Sequence, residues 1–199
     1  MSLLSNNIIV KDNILDDPYK LINLSKKIKY HTNEKRPCSS IPLQLNGIPD
    51  KSSYRGYRSD PLHTVDNNYS NVLINEIITK IFYTDIFSAH GSLFLTITNS
   101  DVFYDDISYP NWWHRDEGLV MAGVIYLSEN APKNSGTLIE NKDGNIIEVE
   151  NIFNRLVLYS SDLLHRPNRH FGSNINNSRL VLTIGISKLN LILLDLATV

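Results

Sequence analysis

In the stretch "NWWHRDEGL", residues 111 to 119, a histidine and an aspartate stand one residue apart. If the segment is extended, side chains alternate, so His114 and Asp116 project to the same side. Such a pair is a surface ion pair, half of a catalytic dyad, or two ligands of a metal. Spacing alone does not choose among these, because six histidines make one such coincidence unsurprising.

Other residues narrow the choice. In "NRLVLYSSDLLHRPNRHFG", His165 follows a β-rich run, and "SRLVLTIGI" sets Arg179 at the head of another. Alternation puts Arg179, Val181 and Thr183 on one face and Leu180, Leu182 and Ile184 on the other. An arginine and a threonine among apolar neighbours suit a small anion. His170 is a rival to His165 as third ligand, but its Pro- and Asn-containing surroundings read as loop, with substrate contact as its alternative role. His31, His63 and His90 have no metal-ligand spacing, and Glu117 faces away from Asp116. Of Trp112 and Trp113, which alternate faces, one is expected to fill core and the other to line the cavity or its rim.

Two neutral imidazoles and one carboxylate on one face of an octahedron form the facial triad of non-haem Fe(II) oxygenases. Ferrous iron so held keeps a single net positive charge and has open positions for a chelating dicarboxylate. The far carboxylate of that chelator then needs a planar, two-pronged donor, which a guanidinium supplies.

The elements that must position these residues are partly visible. Ile8 to Val10 reads as a short strand. Asp17-Pro18 is a helix start, with Leu21, Leu24 and Ile28 on one face. A second helix is predicted between about residues 68 and 82, with Leu73, Ile74, Ile77, Ile78 and Ile81 as its stripe. Residues 38 to 63, rich in Pro, Ser, Gly and Asn, read as loop. The Arg- and Tyr-rich part, 52 to 60, is either a substrate lid or ordinary solvated loop. From there "SLFLTIT", "GLVMAGVIYL", "GTLIE", "NIIEVE", "RLVLYS" and "RLVLTIGI" are short β-rich runs with turn-like punctuation. The expected fold class is mainly β (α+β), a jelly-roll core with N-terminal helices packed on it.

The totals fit one domain of 199 residues, 42% hydrophobic and 20% charged. A net charge of -2 argues against a general nucleic-acid binder. Arg155, Arg166 and Arg169 form either a positive rim for an acidic substrate or a solvated face. Cys38 is the sole cysteine, which suits a reducing compartment. The start does not read as a signal peptide, and no apolar run reaches the ~20 residues of a membrane span. A cytoplasmic protein is expected. The tail "LNLILLDLATV" reads as a packing strand or a homodimer contact.

The order strand, His-x-Asp, "YLS", "SGT", strand, His, strand-borne Arg resembles the 2-oxoglutarate and Fe(II)-dependent dioxygenases, and within them the prolyl-hydroxylase-like branch. The opening "NILDDPYKLINLSKK" is similar to the leading strand and helix of that branch. The likeness is loose before residue 90 and firmer from Leu93 to Ile186. It implies a double-stranded β-helix: 1–90 as helical support and loops, 91–188 as core, 189–199 as a terminal strand or contact segment. It implies His114, Asp116 and His165 as iron ligands and Arg179 on the far carboxylate of 2-oxoglutarate. Thr183 and Tyr104 are implied beside that carboxylate, with Tyr109 as the alternative tyrosine. Iron(II), 2-oxoglutarate and O2 would be consumed or held, with ascorbate in support. Oxidative decarboxylation to succinate and CO2 would drive hydroxylation of a small molecule, peptide or protein side chain.

Two departures stand out. Many relatives carry serine two residues after the arginine, where this chain has Val181; a carboxylate hydrogen bond would then come from Thr183 or Tyr104. The DNA-repair branch has a second arginine six residues on, where this chain has Gly185, which disfavours nucleobase demethylation. The rival readings are a non-catalytic β-helix that binds a ligand or partner, and a cupin-like metalloenzyme that does not use 2-oxoglutarate.

Overall fold

The computed structural model describes residues 2–4, 8–31, 57–83, 87–98, 113–173 and 176–191. The chain begins with strands β1 (Ser2–Leu4) and β2 (Ile8–Lys11), then helix α1 (Pro18–Ser25) and strands β3 (Tyr30–His31) and β4 (Tyr57–Ser59). Helices α2 (Leu62–Val65) and α3 (Asn67–Phe82) lead into the long strand β5 (Phe87–Thr98). The remaining strands are β6 (Met121–Tyr126), β7 (Thr137–Glu140), β8 (Ile146–Val149), β9 (Leu156–Ser160), β10 (His165–Pro167) and β11 (Arg179–Leu191). An eight-stranded sheet has the order β1-β2-β9-β6-β11-β5-β4-β3, and a smaller one the order β10-β7-β8. Pairing is antiparallel throughout.

Both predicted helices form where capping and periodicity place them. Asp17 accepts from the Lys20 amide at 3.2 Å, with Pro18 in the first turn. Asp66 caps α3 through the Tyr69 amide at 2.9 Å, and Leu73, Ile77, Ile78 and Ile81 are buried. Lys80 ties α3 to the N-terminal segment through the Ile14 carbonyl (2.8 Å) and Asp16 (2.6 Å).

The central strands of the large sheet present two faces with different neighbours. Leu93, Leu95 and Ile97 of β5, Leu180, Leu182, Ile184 and Ile186 of β11, Ile125 of β6 and Leu156 and Leu158 of β9 form one core with α1 and α3. The alternate residues turn toward the small sheet: Val181, Ala122, Tyr126, Val157 and Tyr159 meet Ile139 and Val149 in a second core. These are the layers of a double-stranded β-helix supported by N-terminal helices.

The region read as loop proves to contain strand β4 and helix α2. Tyr57 and Arg58 pair with Ile97 and Thr96 of β5, so β4 owes its form to a tertiary partner that local composition does not reveal. Residues 32–56 and 192–199, which take in most of that region and the apolar tail, lie outside the described residues.

Candidate metal centre

A reciprocal pair of backbone hydrogen bonds joins the two halves of the site. His114 N donates to His165 O at 3.1 Å and His165 N to His114 O at 3.0 Å, so the two histidines face each other as an isolated antiparallel bridge. Cross-strand partners share a face, which turns both imidazoles inward, with ring centroids 4.2 Å apart. Asp116 N reaches Ser161 O at 3.1 Å, holding the next inward residue against the turn before β10. Strand β10 pairs with β7, bringing His165 opposite Ile139. Pro167 is tolerated because β10 is an edge strand.

The side chains converge. His165 Nε2 lies 3.3 Å from Asp116 Oδ2, and His114 Nε2 lies 3.9 Å from Asp116 Oδ1. One ligand atom from each of the three lies within 4.8 Å of the others, the sole such group among the described residues. Cis ligands on metal bonds of about 2.1 Å sit about 3 Å apart, so only a small contraction seats an ion.

The protonation pattern favours the same occupant. His165 Nδ1 is 3.0 Å from the Leu163 carbonyl, which can only accept, so Nδ1 carries a proton and Nε2 is the ring nitrogen turned to Asp116. A metal ion taking the place of a proton there would be held by that nitrogen and the carboxylate together. Burial works to raise the Asp116 carboxyl, but His165, then His114 and Arg58, outweigh it and hold it below its ordinary value. Asp116 is therefore an anion at neutral pH. His165 is buried, whereas the His114 and Asp116 side chains are 36% and 33% exposed, leaving one side of the centre open to an incoming ligand. The donor set fits ferrous iron.

Farther along the same interior lies Arg179, only 4% exposed on β11. Its Nε donates to the Ser135 carbonyl at 3.2 Å, and the guanidinium carbon sits 5.6 Å from the Tyr126 ring centroid. The "SGT" turn makes this possible: a side chain at Gly136 would collide with the Val149 carbonyl. Tyr126 is locked from below, its hydroxyl 2.7 Å from Thr137 Oγ1 and 3.1 Å from the Val149 carbonyl. Beside the triad stands Tyr159, buried, with its ring 4.5 Å from that of His165. Burial and then Asp116 push its hydroxyl well above the ordinary range, so it is a neutral donor.

Thr183 lies on the interior face, but its hydroxyl is bonded to Thr96 Oγ1 at 2.8 Å. Tyr104, Tyr109 and Trp112 lie outside the described residues, as do 52–56 of the arginine- and tyrosine-rich segment. Trp113 is half-buried under the Arg166 guanidinium, 5.3 Å from the ring centroid. Arg155 forms a two-pronged pair with Asp12 (2.5 and 3.0 Å), so it is no open rim charge. His170 is buried in the segment after β10; His63 and His90 are exposed.

Three interior residues escaped the sequence reading: Arg58, Tyr126 and Thr98. Arg58 stacks over Phe94 at 5.3 Å and bears electrostatically on Asp116. Tyr126 sits in "YLS" with no local mark of its role. Thr98 shares a face with Thr96 by alternation, but only the sheet register sets it opposite Arg179.

No protein-family model matches the sequence, and no curated protein is similar to it in sequence. Solved structures are similar to it in shape. A prolyl-4-hydroxylase from Pseudomonas putida superposes with a TM-score of 0.56 at 15% identity, over 92% of this chain and 94% of that one. A Trichoplax adhaerens prolyl hydroxylase, solved with a hypoxia-inducible-factor degradation-domain peptide, gives 0.54 at 14%, over 92% and 84%. HygX from Streptomyces hygroscopicus, solved with nickel, 2-oxoglutarate and hygromycin B, gives 0.55 at 9%, over 92% and 83%. At these identities the likeness is one of fold: the chain is built as the 2-oxoglutarate/Fe(II) oxygenases are, with His114, Asp116 and His165 converging inside it.

Proposed function

We propose that this chain is an Fe(II)- and 2-oxoglutarate-dependent dioxygenase, a hydroxylase, with residues 1–199 as its catalytic domain. The observation that carries the reading is the convergence of His114, Asp116 and His165 to within 4.8 Å, inside a fold that also buries Arg179 on a strand of the larger sheet. Ferrous iron with 2-oxoglutarate and O2 supplies the oxidation of an unactivated C–H bond, with succinate and CO2 released. The chain's own share is to hold and orient. His114, Asp116 and His165 provide the facial ligand set, and Leu163 fixes the His165 tautomer. Arg179, braced by Ser135 and Tyr126, receives the far carboxylate of 2-oxoglutarate in a desolvated site. Thr183 and Tyr104 remain assigned to that end of the pocket in this reading.

The substrate is a protein side chain such as proline, a free amino acid or another small metabolite, entering at the open side of the centre. A cytoplasmic location suits both ferrous iron and the lone Cys38. Among the described residues no helix is long and apolar enough to cross a membrane. The test is succinate release from 2-oxoglutarate with Fe(II), ascorbate and O2, including uncoupled turnover without substrate. Panels of amino acids and proline-containing peptides would then be screened for stimulation. His114→Ala should abolish turnover; activity retained in that variant would overturn the assignment.

A further inference from the structure

A buried hydroxyl opposite Arg179 has no hydrogen-bond partner among the described residues. Thr98, the last residue of β5, is 3% exposed, and its Oγ1 makes no hydrogen bond among the described residues. Buried polar side-chain atoms are nearly always satisfied, and one left bare costs about as much as a lost hydrogen bond. Thr98 is the direct cross-strand partner of Arg179. Directly opposed residues have Cβ atoms roughly 5 Å apart and share a face. The orphan oxygen and the guanidinium therefore look into the same part of the interior.

Other hydroxyls nearby are already engaged: Thr183 and Thr96 share one hydrogen bond at 2.8 Å, and Tyr126 is held by Thr137 and the Val149 carbonyl. Val181, two residues after Arg179 and opposite Thr96, offers no hydroxyl at all. An anion gripped by Arg179 thus meets, directly across the sheet, a buried hydroxyl with no other partner among the described residues.

Resting on the reading of Arg179 as the 2-oxoglutarate anchor, we propose that Thr98 supplies the hydroxyl hydrogen bond to the same far carboxylate. The function that relatives give to a serine on β11 is thereby moved across the sheet to β5. It follows that Thr98 belongs with Arg179 in the co-substrate site.

The experiment is anaerobic calorimetry of 2-oxoglutarate binding to the full chain loaded with Mn(II), alongside thermal unfolding of the ligand-free protein. Thr98→Val should weaken 2-oxoglutarate about ten-fold or more, since a hydrogen bond to a charged group is lost. The ligand-free variant should melt no lower than wild type, because an unsatisfied oxygen has been replaced by a methyl. A purely structural threonine would give the reverse pattern. Thr98→Ser should keep most of the affinity, and adding Val181→Ser to Thr98→Val should recover part of it. Equal 2-oxoglutarate affinity in wild type and Thr98→Val overturns the inference while leaving the oxygenase reading intact. A metal-loaded wild type that does not bind 2-oxoglutarate overturns both.

Discussion

Along β11, Leu180, Leu182, Ile184 and Ile186 turn toward α1 and α3, while Arg179, Val181 and Thr183 turn into the interior. The helix-facing side is continuous aliphatic core with Leu182 wholly buried, the pattern of a surface selected for packing. On the interior side the strand carries a buried guanidinium, opposite a threonine hydroxyl with no hydrogen-bond partner among the described residues. A sequence specifies a fold when its local and global preferences agree, and disagreements collect where function requires them. One strand carries both regimes, alternating residue by residue.

The comparison can be broken first on its polar side. His165→Ala should remove stoichiometric Fe(II) binding and drop succinate release by at least about 100-fold, with a melting temperature close to wild type; metal analysis and turnover check it. Arg179→Ala should come next. Losing a desolvated, charge-assisted contact costs on the order of 2–5 kcal/mol, about 30-fold to several thousand-fold in 2-oxoglutarate affinity. Arg179→Lys should recover little, because an ammonium lacks the planar fork. On the apolar face Leu182→Ala should cost about 2–5 kcal/mol of unfolding free energy in denaturant titration, with 2-oxoglutarate affinity of the folded fraction unchanged. The two faces are then separable: one set of substitutions moves ligand binding, the other moves stability.

The smallest effect belongs to neither face. Asp12 pairs with Arg155 at the surface, and the Arg155 hydrogen bond holds its carboxyl below the ordinary 3.8 despite partial burial. A carboxyl depressed in the folded state stabilises above its unfolded value and loses that contribution as pH falls through the folded value. Asp12→Asn should therefore cost under about 1 kcal/mol near neutral pH, since Asp12 is 53% exposed, and less at a pH below the ordinary 3.8. Urea midpoints at the two pH values give the difference.

The sequence was most legible where local period and position coincide. Alternation alone set His114 with Asp116 and Arg179 with Val181 and Thr183, and the capped, striped α1 and α3 stand where Asp17-Pro18 and the leucine–isoleucine spacing put them. Where pairing across strands decides, local pattern was silent. Strand β4 forms because β5 offers it an edge, inside a segment whose composition reads as loop. His165 opens a strand of its own, β10, formed by pairing to β7, whereas the sequence placed it only after a β-rich run. Thr98 gains its position from a register in which Arg179 opposes it, and nothing in "SLFLTIT" carries that register. Thr183 was expected free for a carboxylate, and the bond to Thr96 is a cross-strand fact of the same kind.

Anaerobic titration of the purified chain with Fe(II), followed by 2-oxoglutarate, tests the metal centre most directly. One ferrous ion should bind per chain, 2-oxoglutarate should bind only after it, and His165→Ala should lose both. Metal-independent 2-oxoglutarate binding, or no stoichiometric uptake of iron by the wild-type chain, would contradict the centre formed by His114, Asp116 and His165.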